Sequence, residues 1–556
     1  MAETPNTSMI LRALSNRRAF LKAAGVLGSA AALDLTRLSP PAVAAQDGST
    51  LVFLASDAAY SLDPGENWDY GGGATIISHI YEGLFKFTGA EKVTLEPNLA
   101  LEVPSVENGG ISEDGLTYTV KLKPNAVFHD GNPVDAEAVR FSYERTRTLK
   151  LGVDFLLDQI DTITAVDDLT VQFTLKKPFS AFLSSISGLW GNSVVSPETV
   201  NANSTGEDDL GHEYLLFNDA GSGGYLLESF DPDQKQAVLV RDPNWWQGWS
   251  DGPHIDRVVI LWITEAATIR SMLERGDAHI VANLTPEDWD ALSTVEGITT
   301  VEASAGLQCE IVLNNAKPPL DNPKVRQALA YAFNYEQAID GIMGGHAVKL
   351  DSVVTPMSLG YAPAATQYTF DLDKAKALLE EAGLGDGFTM ELYSLHLFLN
   401  DQLLLEMYQS DLAKIGVQLD VKVMESNAFL SQHLSGNVDD SFMGFIGNVG
   451  PDFPDAYNML AGVYGENSQP PAFCCNFEFY SSPEMEEILL RIEGALDPGE
   501  RQAAIQEGVD LAFAEVGVIW PFNFKQLIGM RSNVQGWEYS FLLGANYAPF
   551  EKMSLA

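Results

Sequence analysis

Several stretches of this 556-residue sequence bring together residue types that could do chemistry. In Phe128-His129-Asp130-Gly131 an imidazole stands beside a carboxylate, a pair that could relay a proton. A strand leads into it and glycine follows, so the pair is expected to be structural, in a turn. Asp219-Ala220-Gly221-Ser222-Gly223-Gly224-Tyr225 has the glycine density of a phosphate loop. It lacks the Lys-Ser/Thr of a nucleotide loop, and the strand Tyr225-Leu226-Leu227 follows where a helix would be needed. A tight turn with positive φ is expected there instead. Cys309, Cys474 and Cys475 are the only cysteines, too few for a disulfide scaffold or a four-cysteine zinc site. A bridge between the adjacent Cys474 and Cys475 would be strained, so free thiols are expected. The eight histidines are scattered without metal-ligand spacing, so no metal and no cofactor is expected. No serine nucleophile elbow or H-E-x-x-H occurs. Paired carboxylates could serve an exported hydrolase, but with 76 acidic residues candidate pairs are everywhere and carry no information. No catalytic residue is assigned.

The net charge of −43 repels phosphate backbones and anionic headgroups, which excludes nucleic acid as an expected partner and would suit a cationic ligand. The length calls for two or three domains. Asn16-Arg17-Arg18-Ala19-Phe20-Leu21-Lys22, an apolar run from Ala23 to Leu33 and Ala42-Val43-Ala44-Ala45 read as a twin-arginine export signal over residues 1–45. That run is too short to span a bilayer, and no later stretch is long enough.

The elements that must position any site alternate between strand and helix. Leu51 to Leu54 is an apolar strand, and Gly71-Gly72-Gly73 leads into a helix carrying Ile76, Ile77 and Ile80. Thr117 to Leu122 alternates as a strand, and a helix begins near Val134. A helix from Ala266 to Arg275 lies between strands Ile255–Ile260 and Ala278–Ala282, the α/β unit of a layered lobe. Ile311 to Leu313 ends a strand, Lys317-Pro318-Pro319 turns, and Asn322-Pro323 opens a helix. Its stripe, Val325, Ala328, Leu329, Ala332, Phe333, Ile339 and Met343, runs to the stop at Gly344-Gly345. Lys324 and Arg326 lie at the wrong end of that helix for cations, which acidic neighbours such as Asp321 are expected to offset. Asp371 caps a further helix, Met390–Tyr393 is a strand, Leu403–Ile415 a helix and Val417–Val423 a strand.

These blocks, in this order, resemble bacterial extracellular solute-binding proteins of family 5, the peptide, nickel and oligopeptide receptors of ABC importers. The likeness is carried by Ser61-Leu62-Asp63-Pro64, Tyr81-Glu82-Gly83-Leu84, Glu96-Pro97-Asn98-Leu99-Ala100, Gly223-Gly224-Tyr225 with Arg241-Asp242-Pro243-Asn244-Trp245-Trp246, and the stretch from Leu313 to Gly345. Gly224 stands where the family usually has proline.

The resemblance implies an α/β, two-lobed periplasmic-binding-protein fold, class II-like, with an extra small domain and a cleft between the lobes. It implies lobe I at 46–95, 196–308 and 520–556, the small domain at 96–195 and lobe II at 309–519. Gly444-Phe445-Ile446-Gly447-Asn448-Val449-Gly450-Pro451-Asp452-Phe453-Pro454-Asp455-Ala456-Tyr457-Asn458 resembles the family's ligand loop, with Phe445 in place of tryptophan and about four extra residues before Asp452. By that match Asp452 would meet a ligand ammonium, with Asp455, Phe445, Phe453 and Tyr457 beside it. The alternative is an Asx-Pro turn with both aspartates solvated. Ser394 to Asn400 lacks the arginine that some peptide receptors use to grip a ligand carboxylate, which weakens a dipeptide reading. His396 is a possible polar contact, and Tyr60, Trp68 and Tyr70 suit a cleft wall, whereas Trp245, Trp246 and Trp520 read as core. The implied function is a monomeric, non-enzymatic receptor outside the cytoplasmic membrane. It would deliver a peptide or similar small-molecule solute to membrane permease subunits served by separate ATPase chains. A sensory receptor of the same fold is the other alternative.

Overall fold

The computed structural model describes residues 49–55, 58–67, 71–89, 92–188, 190–205, 209–395, 400–425, 428–429, 432, 436, 442–470, 475–541, 544 and 546–556. The twin-arginine stretch, Trp68, Tyr70, His396 and Cys474 lie outside them.

The first lobe is built on strands β1 (Thr50–Ala55), β2 (Tyr225–Asp231), β3 (Gln236–Arg241), β4 (Arg257–Trp262) and β5 (Ile280–Val281). β1 reads TLVFLA and is buried throughout, as a central strand covered on both faces must be. Leu51 and Phe53 pack on one side with α1 (Gly72–Ile80), and Val52 and Leu54 on the other with α3 (Ala266–Arg275). β1 runs parallel to β4 and β5.

Between β1 and β2 the chain makes a separate small unit. Strands Thr117–Lys121, Ile160–Asp167 and Thr170–Leu175 form an antiparallel sheet. Helix α2 (Ala136–Leu149), capped by the Asp135 side chain, packs across it through Val139 and Tyr143. A buried ion triad fastens this helix to lobe I. Arg145 donates to both carboxylate oxygens of Asp63, at 2.8 and 2.6 Å, and His212 Nδ1 lies 2.9 Å from Asp63 Oδ2.

The remaining strands of the main sheet are β6 (Ile298–Leu313), β7 (Ala347–Lys349), β8 (Phe388–Ser394), β9 (Val417–Val423), β10 (Gly444–Val449), β11 (Val518–Ile519) and β12 (Phe522–Arg531). Their order is β9-β8-β10-β6-β12-β5-β1-β4-β3-β2, with β7 on β12 and β11 on β6. One sheet therefore runs through both lobes, and β6 and β12 carry it across. β6 pairs β12 from Ile298 to Ser304, breaks register, and from Gln308 to Leu313 pairs β10. The second lobe's core covers one face of its half-sheet with α4 (Pro323–Tyr331), α5 (Leu372–Glu381), α6 (Asp401–Ala413), α7 (Ala456–Tyr464), α8 (Pro483–Gly494) and α9 (Pro498–Glu515).

Four expectations change. The helix expected from 323 to 343 is two pieces: α4 ends at Tyr331, and a π-helical turn follows at Gln337–Ile342. Asn334 opens the second piece, accepting from Gln337 N–H through its side chain and from Ala338 N–H through its carbonyl. The charge of Asp321 does act on Arg326, but the guanidinium finds its partners elsewhere. It is buried and donates to the carbonyls of Leu320, Glu515 and Val516, closing the C-terminus of α9. Gly221 and Gly223 do not have positive φ. They are glycines because α1 ends against them: a Cβ would fall 1.8 Å from the Ile80 carbonyl oxygen and 2.1 Å from that of His79. Cys475 is disulfide-bonded rather than a free thiol, while Cys309 is free and buried. His129 and Asp130 are structural as expected: His129 Nδ1 lies 2.8 Å from Asp219, and Asp130 accepts from the Ser196 and Thr199 hydroxyls.

Candidate functional site

The loop 452–457 is a joint between lobe II and the small domain. Asp455 is buried, caps α7 through the Tyr457 N–H, and accepts from Arg501 of α9 at 2.7 Å. Its charge is thus spent inside lobe II. Phe453 is buried in the core of the small domain, and the Tyr457 ring meets Phe179 of that domain edge-on at 5.2 Å. Asp452 is half-buried; its N–H donates to Asn458 Oδ1, and its Oδ2 accepts from Asn458 Nδ2 at 3.0 Å. A Cβ on Gly188 of the small domain would sit 2.9 Å from the Asp452 carbonyl oxygen, so the two backbones pass in contact. Lys177 to Glu493 at 2.8 Å and Arg501 to Ser180 at 2.8 Å continue the same joint. Asp455 and Phe453 thus both face the joint in this structure. Phe445 packs at the ends of β10 and β6 with Phe429 and Val312. Tyr60 is half-exposed in lobe I, and its hydroxyl donates to the Glu66 carbonyl at 3.1 Å. Among the described candidates, the structure brings Asp452, Phe453, Asp455 and Tyr457 to this joint and packs Tyr60 and Phe445 elsewhere.

It gathers a different set on β6. Alternation along this strand sends Cys309, Ile311 and Leu313 into the large core. Gln308, Glu310 and Val312 take the opposite face, where Val312 meets the aromatic cluster. Gln308 stands where β6 changes neighbours, opposite Asn523 of β12 and Val449 of β10. It is fully buried, and neither its Oε1 nor its Nε2 has a hydrogen-bond partner among the described residues. The same holds for Asn523 Oδ1 and for both carboxylate oxygens of the buried Glu478. Glu310 is 5% exposed and lies over Gly447, where a Cβ would come 3.1 Å from its Oε1. Burial pushes the Glu310 carboxyl up to about 8. Burial also holds Glu478 well above the ordinary range, with Glu310 adding to the rise and Arg326 opposing it. Buried polar groups are normally hydrogen-bonded, so several orphans in one place need an explanation. The sequence carried a faint signal for them, because Gln308 and Glu310 are the polar members of the otherwise apolar end of β6, Leu307 to Leu313, two residues apart and thus on one face.

No group of three or more His, Cys, Asp or Glu side chains among the described residues could hold a metal ion. No helix among them is long and apolar enough to cross a membrane.

The chain is 29% identical over 507 residues to the glutathione-binding protein GsiB of Pectobacterium atrosepticum, covering 90% of this chain and 91% of that one. It is 28% identical over 516 residues to the probable D,D-dipeptide-binding periplasmic protein DdpA of Escherichia coli, covering 92% and 96%. Its fold matches the ABC transporter-associated periplasmic binding protein DppA from Helicobacter pylori in complex with peptide STSA. That match has a TM-score of 0.74 at 24% identity and covers 91% of this chain and 98% of that one. The family described as bacterial extracellular solute-binding proteins, family 5 Middle, matches residues 94–470. With the two-lobed sheet, the order of its blocks and that match in agreement, the chain belongs to the bacterial extracellular solute-binding proteins of family 5.

Proposed function

We propose that this protein is the solute-binding receptor of an ABC importer. It captures a short peptide or peptide-like solute outside the cytoplasmic membrane, closes its lobes over it and presents it to permease subunits. The observation that carries this reading is the crossing: β6 and β12 join the lobes as continuous strands, and buried polar groups without partners collect at that crossing. A crevice between lobes is the usual small-molecule site, and closing about connecting strands is a hinge motion. Relatives named for glutathione and a D,D-dipeptide, and a structural neighbour holding the peptide STSA, favour a peptide-like ligand over a sugar. Lobe I at 46–95, 196–308 and 520–556 and lobe II at 309–519 move against each other, with 96–195 fastened to both. The chain works as a monomer without catalysis, ATP hydrolysis falls to other chains, and Arg17-Arg18 routes the protein through twin-arginine export.

A thermal-shift panel of peptides, sugars and metal chelates tests this. The melting temperature is expected to rise with peptide concentration, with a stabilisation of about 2.7 kcal/mol at a hundred times Kd. A flat response to every class would overturn the receptor reading.

A further inference from the structure

Glu310, Gln308 and Asn523 occupy one face of the strand crossing, with Glu478 close by, and none of them belongs to the loop that the sequence singled out. A protein core tolerates a carboxyl without a partner poorly, and two near one another more so. Here Gln308 is also left with both its Nε2 and its Oε1 open among the described residues, and Asn523 with its Oδ1, while the Asn523 Nδ2 donates to the Ser304 hydroxyl at 2.9 Å. Nothing in the fold requires this. β6 could carry apolar residues at 308 and 310 as it does at Ile311, Val312 and Leu313. Gly447 instead leaves room for the Glu310 carboxyl, and the Phe445 ring lies beside the same glycine, 2.8 Å from where its Cβ would be. A carboxylate next to an aromatic edge, with the open Gln308 amide and the open Asn523 Oδ1 on one side, has the make-up of a seat for a desolvated organic cation. The aromatic ring takes the alkyl part of such a group, and the amides take its remaining polar atoms.

We propose that Glu310 is the ligand-binding carboxylate of this receptor, receiving a primary ammonium or guanidinium group of the solute at the strand crossing, with Gln308 and Asn523 completing the seat. The proposal rests on the receptor reading above and adds to it the chemical class of the cargo. It has a consequence that a solvated aspartate would not have. At neutral pH the empty site is protonated, because burial holds the Glu310 carboxyl up to about 8. Seating a cation reverses that preference, so the carboxyl O–H ionises, its proton leaves to solvent, and the carboxylate pairs with the incoming group. The titratable groups near it are Glu478, Tyr464 of α7, Cys309 on the opposite face of β6 and Arg326 of α4, whose charge acts on Glu478. Of these, Glu478 is raised by the same burial and can give up a second proton.

Calorimetric titration of the mature protein in two buffers of different ionisation enthalpy, at pH 6, 7 and 8, tests this. The probes are Ala-Ala-Ala, Ala-Lys-Ala and 1,4-diaminobutane, each beside its fully acetylated form. At least one cationic probe is expected to bind, releasing about one proton and tightening up to about tenfold per pH unit, while its acetylated form binds poorly. Glu310→Gln should abolish the proton release and weaken that probe at least about thirtyfold, its folding checked by its melting temperature. Glu310→Asp, the second variant, should keep the proton release at reduced affinity. Equal binding of an acetylated probe, or unchanged affinity and proton release in Glu310→Gln, would overturn the proposal and leave the receptor reading standing. Binding by no cationic probe would overturn the proposal too, and the receptor reading would fall only if the broader thermal-shift panel were also flat.

Discussion

Asp455 and Asp63 are both buried aspartates that hold their charge for the fold. For Asp455 the partner is Arg501, 46 residues further on, and no local spacing could have shown it. What the sequence offered was a ligand loop or an Asx-Pro turn with both aspartates solvated, whereas the structure buries Asp455 as the cap of α7. Asp455→Ala removes the cap and leaves Arg501, 15% exposed at its side chain, without its carboxylate. The expected loss is about 3–5 kcal/mol in chemical denaturation, with ligand affinity changed far less than by Glu310→Gln. Asp63 also sits in a motif that was legible as Leu-Asp-Pro, though its partners were not. Burial raises its carboxyl, but hydrogen bonds from Arg145 and His212 overcome that and bring it down to about 2. A depressed carboxyl stabilises the fold above its unfolded value near 3.8 and loses that contribution as pH falls towards 2. The contribution is about 2 kcal/mol, and Asp63→Asn should flatten that acid limb when unfolding is measured from pH 5 to pH 2. His212 is opposed by burial and raised by Asp63, so its share has the other sign: present below 6.5, and lost as pH rises past its folded value.

At the scale of elements, periodicity and caps placed most helices and strands. Ala266–Arg275 and Val417–Val423 run as expected, and Asp371 caps α5. The failures have physical causes. Helical spacing continued through Asn334, but α4 stops at Tyr331 and the Asn334 side chain caps a new turn by accepting from the Gln337 N–H. Gly221 and Gly223 suggested a turn of positive φ, whereas the reason for them is the backbone of α1 lying against theirs, a tertiary fact. Gly221→Ala should therefore cost about 3 kcal/mol or more, read as a fall in the denaturation midpoint at unchanged slope. A conventional turn glycine of positive φ would lose less, because the penalty would be backbone strain alone. Arg326 makes the same point: charge and position along α4 suggested a helix-end penalty, but its guanidinium serves the carbonyls that end α9.

At the scale of the molecule, the two-lobed fold was legible because many blocks occurred in one order, each weak alone. The site was less legible. The loop around Asp452 drew attention through its resemblance to a ligand loop, yet its Phe453 and Tyr457 tie lobe II to the small domain. Which face of β6 lacks partners depends on what β10 and β12 bring to it, through Gly447 and Asn523, 137 and 213 residues after Glu310. The small domain's double attachment has a mechanical meaning as well. It is bound to lobe I by the Asp63 triad and to lobe II by Phe453 and Lys177–Glu493, so opening must break or carry one of these sets.

The most direct test of a receptor that closes on a cationic, peptide-like solute is native mass spectrometry of the mature protein isolated gently from its own cells. The predicted spectrum contains a species heavier than the bare chain by one small molecule that carries a primary amine or guanidine, lost on unfolding and regained from the released fraction. A spectrum of bare chain alone, before and after exposure to that fraction, would contradict it.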